Sequence, residues 1–472
     1  MSIKKYLTAL ADELNYIHSK DFSWGEEHGF PHFITVLKHG YQIHFTPNAT
    51  THLANLSRLI FENRDKDLPR IEIKNYTKVT QQVVANMFAD GKFNEEFRNE
   101  EKKTIKSLKS SIEKAIIGKT QLFTHYFPAW SIGIESEAPF KIGPVQLISR
   151  ENWIDSVDFP QTAKDSYFNE KSANNNWKYL LKEALKNENH KGNITGLASD
   201  IHSAVKDCRA LIKITIRGFE KDYSRKLGKI IAKSALDSLS LLLGGSSLFL
   251  KQALYEERLG PIRAYTLIET NGNLWSPGFR LSDRVACFSK ERIEKAVKDI
   301  DQFIPSIASI LDGLLDPSQH SHPKLTTRWA TALDWFGEGC RESSDSIAIA
   351  KLGTSLDVLS NGGKATGISE MVSSLLKIEE DSIFNKDEKT QTLNQLITQI
   401  YNDGRSKVLH GTYYDRLESL EIERKQTYNI VRNTLISAAI CLLEYKGEDT
   451  DKAFRSMGNE GKQPKKYRAS TH

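Results

Sequence analysis

The stretch Gln399–Asp415 reads QIYNDGRSKVLHGTYYD and sets Arg405 five positions ahead of His410, at the end of a long amphipathic run. A guanidinium that never loses its charge can hold a phosphate through paired hydrogen bonds, and an imidazole titrating near neutrality can move a proton. Together the two groups suffice in principle for phosphodiester cleavage. Arg405 is the only arginine of the chain with a histidine at that offset. On an ideal helix five residues turn through about 500°, which sets the two side chains roughly 140° apart. They do not converge on one face unaided, so a shared site needs another helix of the fold or a second copy of the chain.

The run leading into the pair, KTQTLNQLITQIYND, closes a series of segments whose apolar residues recur at helical spacing: LTTRWATALDWFGEGCRE, SIAIAKLGTSLDVLSN and ISEMVSSLLKIEE. ERKQTYNIVRNTLISAAICLLEY follows it. Residues 325–448 therefore read as an all-helical block long enough to bury its own core. Beyond it, 449–472 is basic, polar and poor in apolar anchors, and reads as a flexible tail.

Residues 1–320 mix strand and helix signals. An amphipathic helix is expected over MSIKKYLTALADELNYIHSKD, and a strand pair over His32–Pro47 turning at Lys38-His39-Gly40. Helices follow over Thr51–Asn63 and Phe93–Gly118, the second charged on most sides. Strands are expected at QLFTHYFPAW and PFKIGPVQLIS, then an exposed helix and loop over Lys171–Lys191. The strand Ala210–Phe219 leads into a helix over Asp222–Leu243, with further strands at IRAYTLIET and NLWSPGFRL. A helix over Glu294–Leu315 is closed by the DPSQHSHPK loop. The fold class is α+β, a mixed N-terminal region followed by a C-terminal all-α bundle, and 472 residues predict more than one domain. A break within the front region falls near 190–205.

Composition is that of an ordinary globular chain, with 39% hydrophobic and 26% charged residues. A net charge of +5 permits a polyanionic partner without demanding one. Cys208, Cys287, Cys340 and Cys441 fall in no metal-ligand spacing and read as reduced cytoplasmic thiols. The N-terminus has no signal-peptide pattern, and the most apolar stretch, Ile230–Leu250, is interrupted by Lys233, Asp237 and Gly244-Gly245. It reads as a buried helix, with no membrane span. The sequon Asn193-Ile194-Thr195 then needs no glycan.

The order of the helical parts, RWATALDWF, SLDVLSN, GRSKVLHG and a closing apolar helix, resembles HEPN domains, and more narrowly the Apea-like group of bacterial abortive-infection proteins. The family signature, an arginine, four to six residues and a histidine, matches Arg405-Ser-Lys-Val-Leu-His410, followed by Gly411. Many relatives carry Glu in the second helix where this chain has Asp357, and a polar residue after the arginine, here Ser406. The resemblance covers roughly the last third of the chain. PFKIGPVQL and ALIKITIRGF are only loosely similar to the N-terminal regions of that group.

The resemblance implies a metal-independent endoribonuclease, needing no cofactor, whose site forms where two HEPN domains meet in a homodimer. Attack of the RNA 2′-OH on phosphorus, with His410 moving protons and Arg405 holding the phosphate, would leave a 2′,3′-cyclic phosphate and a 5′-OH. Asp357 and Ser406 would support the pair. Lys407, Tyr413 and Arg416 would contact RNA, with Tyr414 beside them, although the tyrosines suit core packing equally. The implied setting is an anti-phage effector of the bacterial cytoplasm, restrained by its N-terminal sensor region until a trigger such as a phage protein arrives. The alternative is a non-catalytic HEPN scaffold that binds nucleotide or protein.

Other constellations are weaker. His28, His32, His39 and His44 crowd one region, but Gly29 and Pro31 break any helical ligand spacing. His320 and His322 sit in a loop and read as linker residues. Gly244-Gly245 and Gly362-Gly363 lack the context of a phosphate loop and read as turns at helix ends. No paired carboxylates in the front region support a metal-dependent hydrolase.

Overall fold

A computed structural model describes all residues except Met1, 26–31, 37–39, 66–68, 95–99, 168–176, 188–193, 195, 258–262, 267, 275–277, 282–286, 386–390, 413–416, 418 and 461–472. The chain divides into two compact units, 1–124 with 215–228, and 125–214 with 229–472.

The first unit opens with helix α1 (Ile3–Ile17), whose N-cap Ser2 accepts the Lys5 amide. A hairpin follows, β1 (His32–Val36) against β2 (Tyr41–Phe45), in the register His32↔Phe45 to Val36↔Tyr41. Lys38 and His39 of the expected turn lie outside the described residues. Next come α2 (Pro47–Glu62), begun by the Thr46 cap and a proline in its first turn, α3 (Ile73–Ala89) and α4 (Glu101–Lys119). The core joins Leu7, Leu10, Leu14, Leu53, Leu56, Val84, Leu108 and Ile112. Helix α3 was not legible as one, because its buried stripe includes Thr80 and Gln81 and so blurs the apolar period.

A five-stranded sheet of order β4-β5-β6-β3-β7, formed by β3 (Gln121–Trp130), β4 (Phe140–Ile142), β5 (Val145–Ser149), β6 (Ala210–Phe219) and β7 (Ala253–Leu254), lies for the most part in the second unit. Pairings β4–β5, β5–β6 and β3–β7 are antiparallel. Helices α5 (Arg150–Ser156), α6 (Gln161–Tyr167), α7 (Trp177–Lys186) and α8 (Gly196–Val205) fill the connection between β5 and β6. The helix expected to be exposed over Lys171–Lys191 is instead amphipathic. Trp177, Leu181 and Ala184, at helical spacing, sink into one cluster with Trp153, Ile154 and Leu211.

Helix α9 (Lys221–Leu243) precedes α10 (Leu248–Lys251). Two short antiparallel pairs follow, β8 (Arg263–Thr266) with β11 (Gly278–Leu281), and β9 (Glu269–Thr270) with β10 (Asn273–Leu274). The helix expected over Glu294–Leu315 is two, α11 (Lys290–Ile300) and α12 (Ile304–Leu315), joined by a 3-10 turn at Asp301–Phe303. Pro305 begins the second, where its missing N–H costs nothing.

The block then runs through α13 (Pro323–Arg341), α14 (Asp345–Leu359), α15 (Lys364–Leu376), a short pair β12 (Ile383–Asn385) and β13 (Gln391–Thr392), and α16 (Leu393–Gln399). It closes with a π-helix (Ile400–Ser406), α17 (Lys407–Leu409), α18 (Glu421–Glu444) and α19 (Met457–Glu460). Helices α13, α14 and α18 pack on one another, and the buried Trp329 indole donates to the Leu435 carbonyl at 2.8 Å.

Both double glycines end helices, and each receives an arginine. Arg432 donates to the carbonyls of Leu241 and Leu242 beside Gly244, and Arg455 donates to those of Ser360, Asn361 and Gly362. A Cβ on Gly363 would stand within 2.4 Å of the Arg455 guanidinium, so the left-handed Gly362-Gly363 turn is also a cradle. Arg455 belongs to a segment expected to be flexible tail. That expectation is corrected for 449–460: Ala453, Phe454 and Met457 are buried, and fully burying a phenylalanine stabilises by roughly 1.5–3 kcal/mol. Residues 461–472 lie outside the described residues. His322, expected as a linker residue, is likewise buried, its ring hydrogen-bonded to the Gly447 carbonyl at 2.9 Å.

Candidate functional site

Helix α14 is built with small residues where neighbours must come close. On one side a Cβ at Gly339 of α13 would meet Leu352 at 2.9 Å, and the Ser355 hydroxyl donates to the Ala332 carbonyl at 2.7 Å. On another side lies the π-helix. A Cβ at Gly353 would meet Ile400 Cγ2 at 3.2 Å and Arg405 Cβ at 3.4 Å, and one at Gly404 would stand 2.4 Å from Ile349 Cγ2. Glycine at 353 and 404 is what lets the two helices touch.

That contact explains the π-helix. Ile400 is buried and Arg405 lies beside it over Gly353, although the two are five residues apart. In an α-helix such residues diverge by roughly 140°, whereas i→i+5 hydrogen bonding brings them one above the other. The Lys407 amide accordingly bonds to Asn402 rather than Asp403. Gly404, a weak α-helix former, sits inside the widened turn.

The π-turn delivers the Arg405 guanidinium to Asp357 at the far end of α14, where Nη2 lies 2.9 Å from Oδ2. The guanidinium carbon also stands 5.3 Å from the centre of the Tyr401 ring. Nε–H is buried and has no hydrogen-bond partner among the described residues. Asp403, an obvious local partner for Arg405 in sequence, pairs instead with Lys407 at 2.8 Å. The Asp357 helix end is itself held by two distant arginines: Arg328 donates to the Val358 carbonyl, and Arg455 to those of Ser360, Asn361 and Gly362. The Gly362 amide donates back to the Asp357 carbonyl.

After the π-turn the chain makes one α-turn and stops. His410 N–H bonds to the Ser406 carbonyl at 2.9 Å, and Thr412 N–H reaches back to the Lys407 carbonyl past Gly411 at φ +69°. This is the glycine-terminated helix end that a left-handed residue permits. His410 sits on that end, exposed, and its imidazole has no hydrogen-bond or ion-pair partner among the described residues.

Among the expected site residues, then, the fold brings Arg405 and Asp357 together and leaves His410 in solvent, Ser406 contributing a backbone acceptor and Lys407 an exposed ion pair. Tyr413, Tyr414 and Arg416 lie outside the described residues. Sequence reasoning did not find Tyr401, Gly353, Gly404, Arg328 or Arg455. For Gly353 and Gly404 a signal existed, since glycine inside a helical pattern marks close approach. Arg328 and Arg455 had none, because carbonyl recognition by a distant arginine leaves no local spacing.

The histidines near the front are spent on packing. His32 shares a 3.0 Å hydrogen bond with Gln81, and the His44 amide donates to the His18 ring. His28 and His39 lie outside the described residues. Among the described residues no group of three or more His, Cys, Asp and Glu could hold a metal ion, and no helix is long and apolar enough to cross a membrane.

No protein-family model matches the chain, and no curated protein or solved structure matches it either.

Proposed function

We propose that the chain is a HEPN-type endoribonuclease that cleaves RNA without a metal, an Apea-like abortive-infection effector of the bacterial cytoplasm whose N-terminal region holds it in check. The observation that carries this reading is the Arg405–Asp357 pair at 2.9 Å with the exposed, unpartnered His410 imidazole five residues on. A guanidinium oriented by a carboxylate and a solvent-facing imidazole suffice in principle for metal-free phosphodiester cleavage.

In the proposed reaction neutral His410 takes the proton of the RNA 2′-OH as its oxygen bonds to phosphorus. The bond from phosphorus to the 5′-oxygen breaks, and that oxygen is protonated by a protonated His410 of a second copy. Arg405 neutralises charge building on the non-bridging oxygens, and the products are a 2′,3′-cyclic phosphate and a 5′-OH. DNA lacks the nucleophile. Because Asp357 holds the Arg405 guanidinium while the His410 imidazole stands exposed and without a partner among the described residues, the reading calls for a homodimer in which two copies complete the cleft.

The same ion pair also favours a competing reading, a non-catalytic scaffold, since a guanidinium already held by a carboxylate can serve packing alone. Incubation of the purified chain with RNA in EDTA separates them. The nuclease yields cyclic-phosphate ends and loses this activity in Arg405→Ala and His410→Ala variants that remain folded. Absence of cleavage by the wild type, or cleavage that survives both substitutions, sinks the proposal.

A further inference from the structure

Charge is distributed unevenly between the two compact units. Residues 1–124 and 215–228 hold 22 Lys and Arg against 17 Asp and Glu, a net of +5, while 125–214 and 229–472 hold 43 of each and are neutral. The whole excess positive charge of the protein therefore lies outside the unit that carries Arg405 and His410. Most of it is concentrated in one element: α4 has Lys102, Lys103, Lys106, Lys109, Lys114 and Lys119 against Glu101 and Glu113, a net of +4.

The helix presents that charge to solvent. Leu108, Ile112 and Ile116 sit in the core, Lys109 is half-buried, and the other five lysines are exposed. Lys102, Lys106 and Lys109 follow one another at i, i+4 and i+7, so they form a single row. Only Lys103 has an ion-pair partner, Glu100, among the described residues. Glu101, which would otherwise offset the row, is already paired with Lys4 and takes a hydrogen bond from Thr8. A row of unpaired ammonium groups is complementary to a polyanion. A membrane surface fits less well, because the apolar face that an interfacial helix would insert is occupied by the unit's own core.

We infer that the exposed face of α4 binds the sugar-phosphate backbone of single-stranded RNA without reading its sequence, and holds substrate for the neutral unit that carries Arg405 and His410. The choice of RNA rests on the proposed nuclease reading. Lysines act here as point charges, so they supply affinity and leave base choice open.

The test measures binding of a fluorescent 2′-O-methyl oligoribonucleotide, which cannot be cut, to the full chain across a KCl series. Each phosphate contact on a single strand contributes about 0.7 to the slope of log K against log salt, so Lys102→Ala/Lys106→Ala/Lys109→Ala should lower the slope by about 2 and weaken binding about a hundredfold at 0.1 M KCl. The matching Lys→Arg triple should keep both. A control triple in the other unit, Lys290→Ala/Lys295→Ala/Lys298→Ala, should change neither. An unchanged slope in the α4 triple, an equal fall in the control, or loss of binding to phosphatidylserine vesicles in place of the oligonucleotide would overturn the inference. Because the probe is not cleaved, the outcome is independent of the nuclease assay: wild-type cleavage with an unaffected α4 triple defeats this inference alone, and a lost slope without any cleavage defeats the nuclease alone.

Discussion

Arg405 Nη2 lies 2.9 Å from Asp357 Oδ2, joining the π-helix to the end of α14 through two side chains that are each less than a quarter exposed. At that burial the pair is shielded enough to contribute to stability as well as to orientation. Asp357→Ala and Arg405→Ala should each lower the urea midpoint, and the double variant should lose less than their sum, with a coupling of about 1 kcal/mol. If the chain cleaves RNA as proposed, Asp357→Glu should retain more of that activity than Asp357→Ala. Strict additivity in the unfolding cycle would mean that the contact contributes nothing in solution.

The second prediction concerns Gly404. Alanine is the better helix former by about 1 kcal/mol, so on propensity alone Gly404→Ala should stabilise. The packing predicts the opposite sign, because the new Cβ would stand 2.4 Å from Ile349 Cγ2, a methyl fixed to the branched β-carbon and so held close to the backbone. Overpacking of this kind costs about 1–3 kcal/mol. Thermal unfolding should show a net loss, and Ile349→Ala, which removes the obstructing carbon, should shrink the penalty of Gly404→Ala. A stabilised Gly404→Ala variant would refute the close approach.

How far the fold could be read in advance follows from where its information lies. The helices around Trp329, Leu356 and Leu435 are long segments rich in buried apolar residues, so the C-terminal block is visible in sequence, as are the hairpin at His32–Phe45 and the strand Ala210–Phe219. Helix α3 escapes because Thr80 and Gln81 are buried in its stripe, and the break before α12 rests on the single residue Pro305. The site divides in the same way. Arg405, His410 and Asp357 stand out by residue type, but the ideal-helix angle applied to Arg405 and His410 takes no account of the π-turn over Ile400–Ser406, which packs against Gly353. The Arg455 cradle is non-local and could not be seen at all.

A third prediction tests the buried pair at the root of α13. Asp237 is almost wholly buried and faces Arg341, whose guanidinium also donates to the Phe249 carbonyl at 3.1 Å, while Lys233 reaches the same carboxylate at 3.0 Å. Asp237→Ala would leave the buried guanidinium with only the more exposed Glu338 carboxylate, 3.5 Å away, as counter-charge, at a cost of about 3–5 kcal/mol. Replacing both partners with apolar residues, Asp237→Leu/Arg341→Met, removes the charges together and should cost far less. Lys233 keeps Asp334 as a partner in that variant. Denaturant midpoints of the single and double variants decide the matter. A double variant as unstable as Asp237→Ala would show that lost shape, not an orphaned charge, is the cause.

The fourth prediction uses the carboxyl of Glu135, which is 2% exposed and has the Ser131 hydroxyl within 2.7 Å of both oxygens. Burial pushes its pKa above the ordinary 4.5, outweighing the opposing effects of the Ser131 hydrogen bond and the Arg209 charge. A carboxyl whose folded pKa is raised binds its proton more tightly in the native state. Its contribution is therefore fully present below the unfolded value and is lost as pH rises through the folded one. As pH rises through that folded value the native state takes on a buried charge that Glu135→Gln would remove, while the new amide oxygen can still accept from Ser131. The variant should thus raise the urea midpoint at pH 7.5, and its advantage should fade toward zero below pH 4.5. An equal advantage at both pH values would assign the effect to packing and remove proton linkage as its origin.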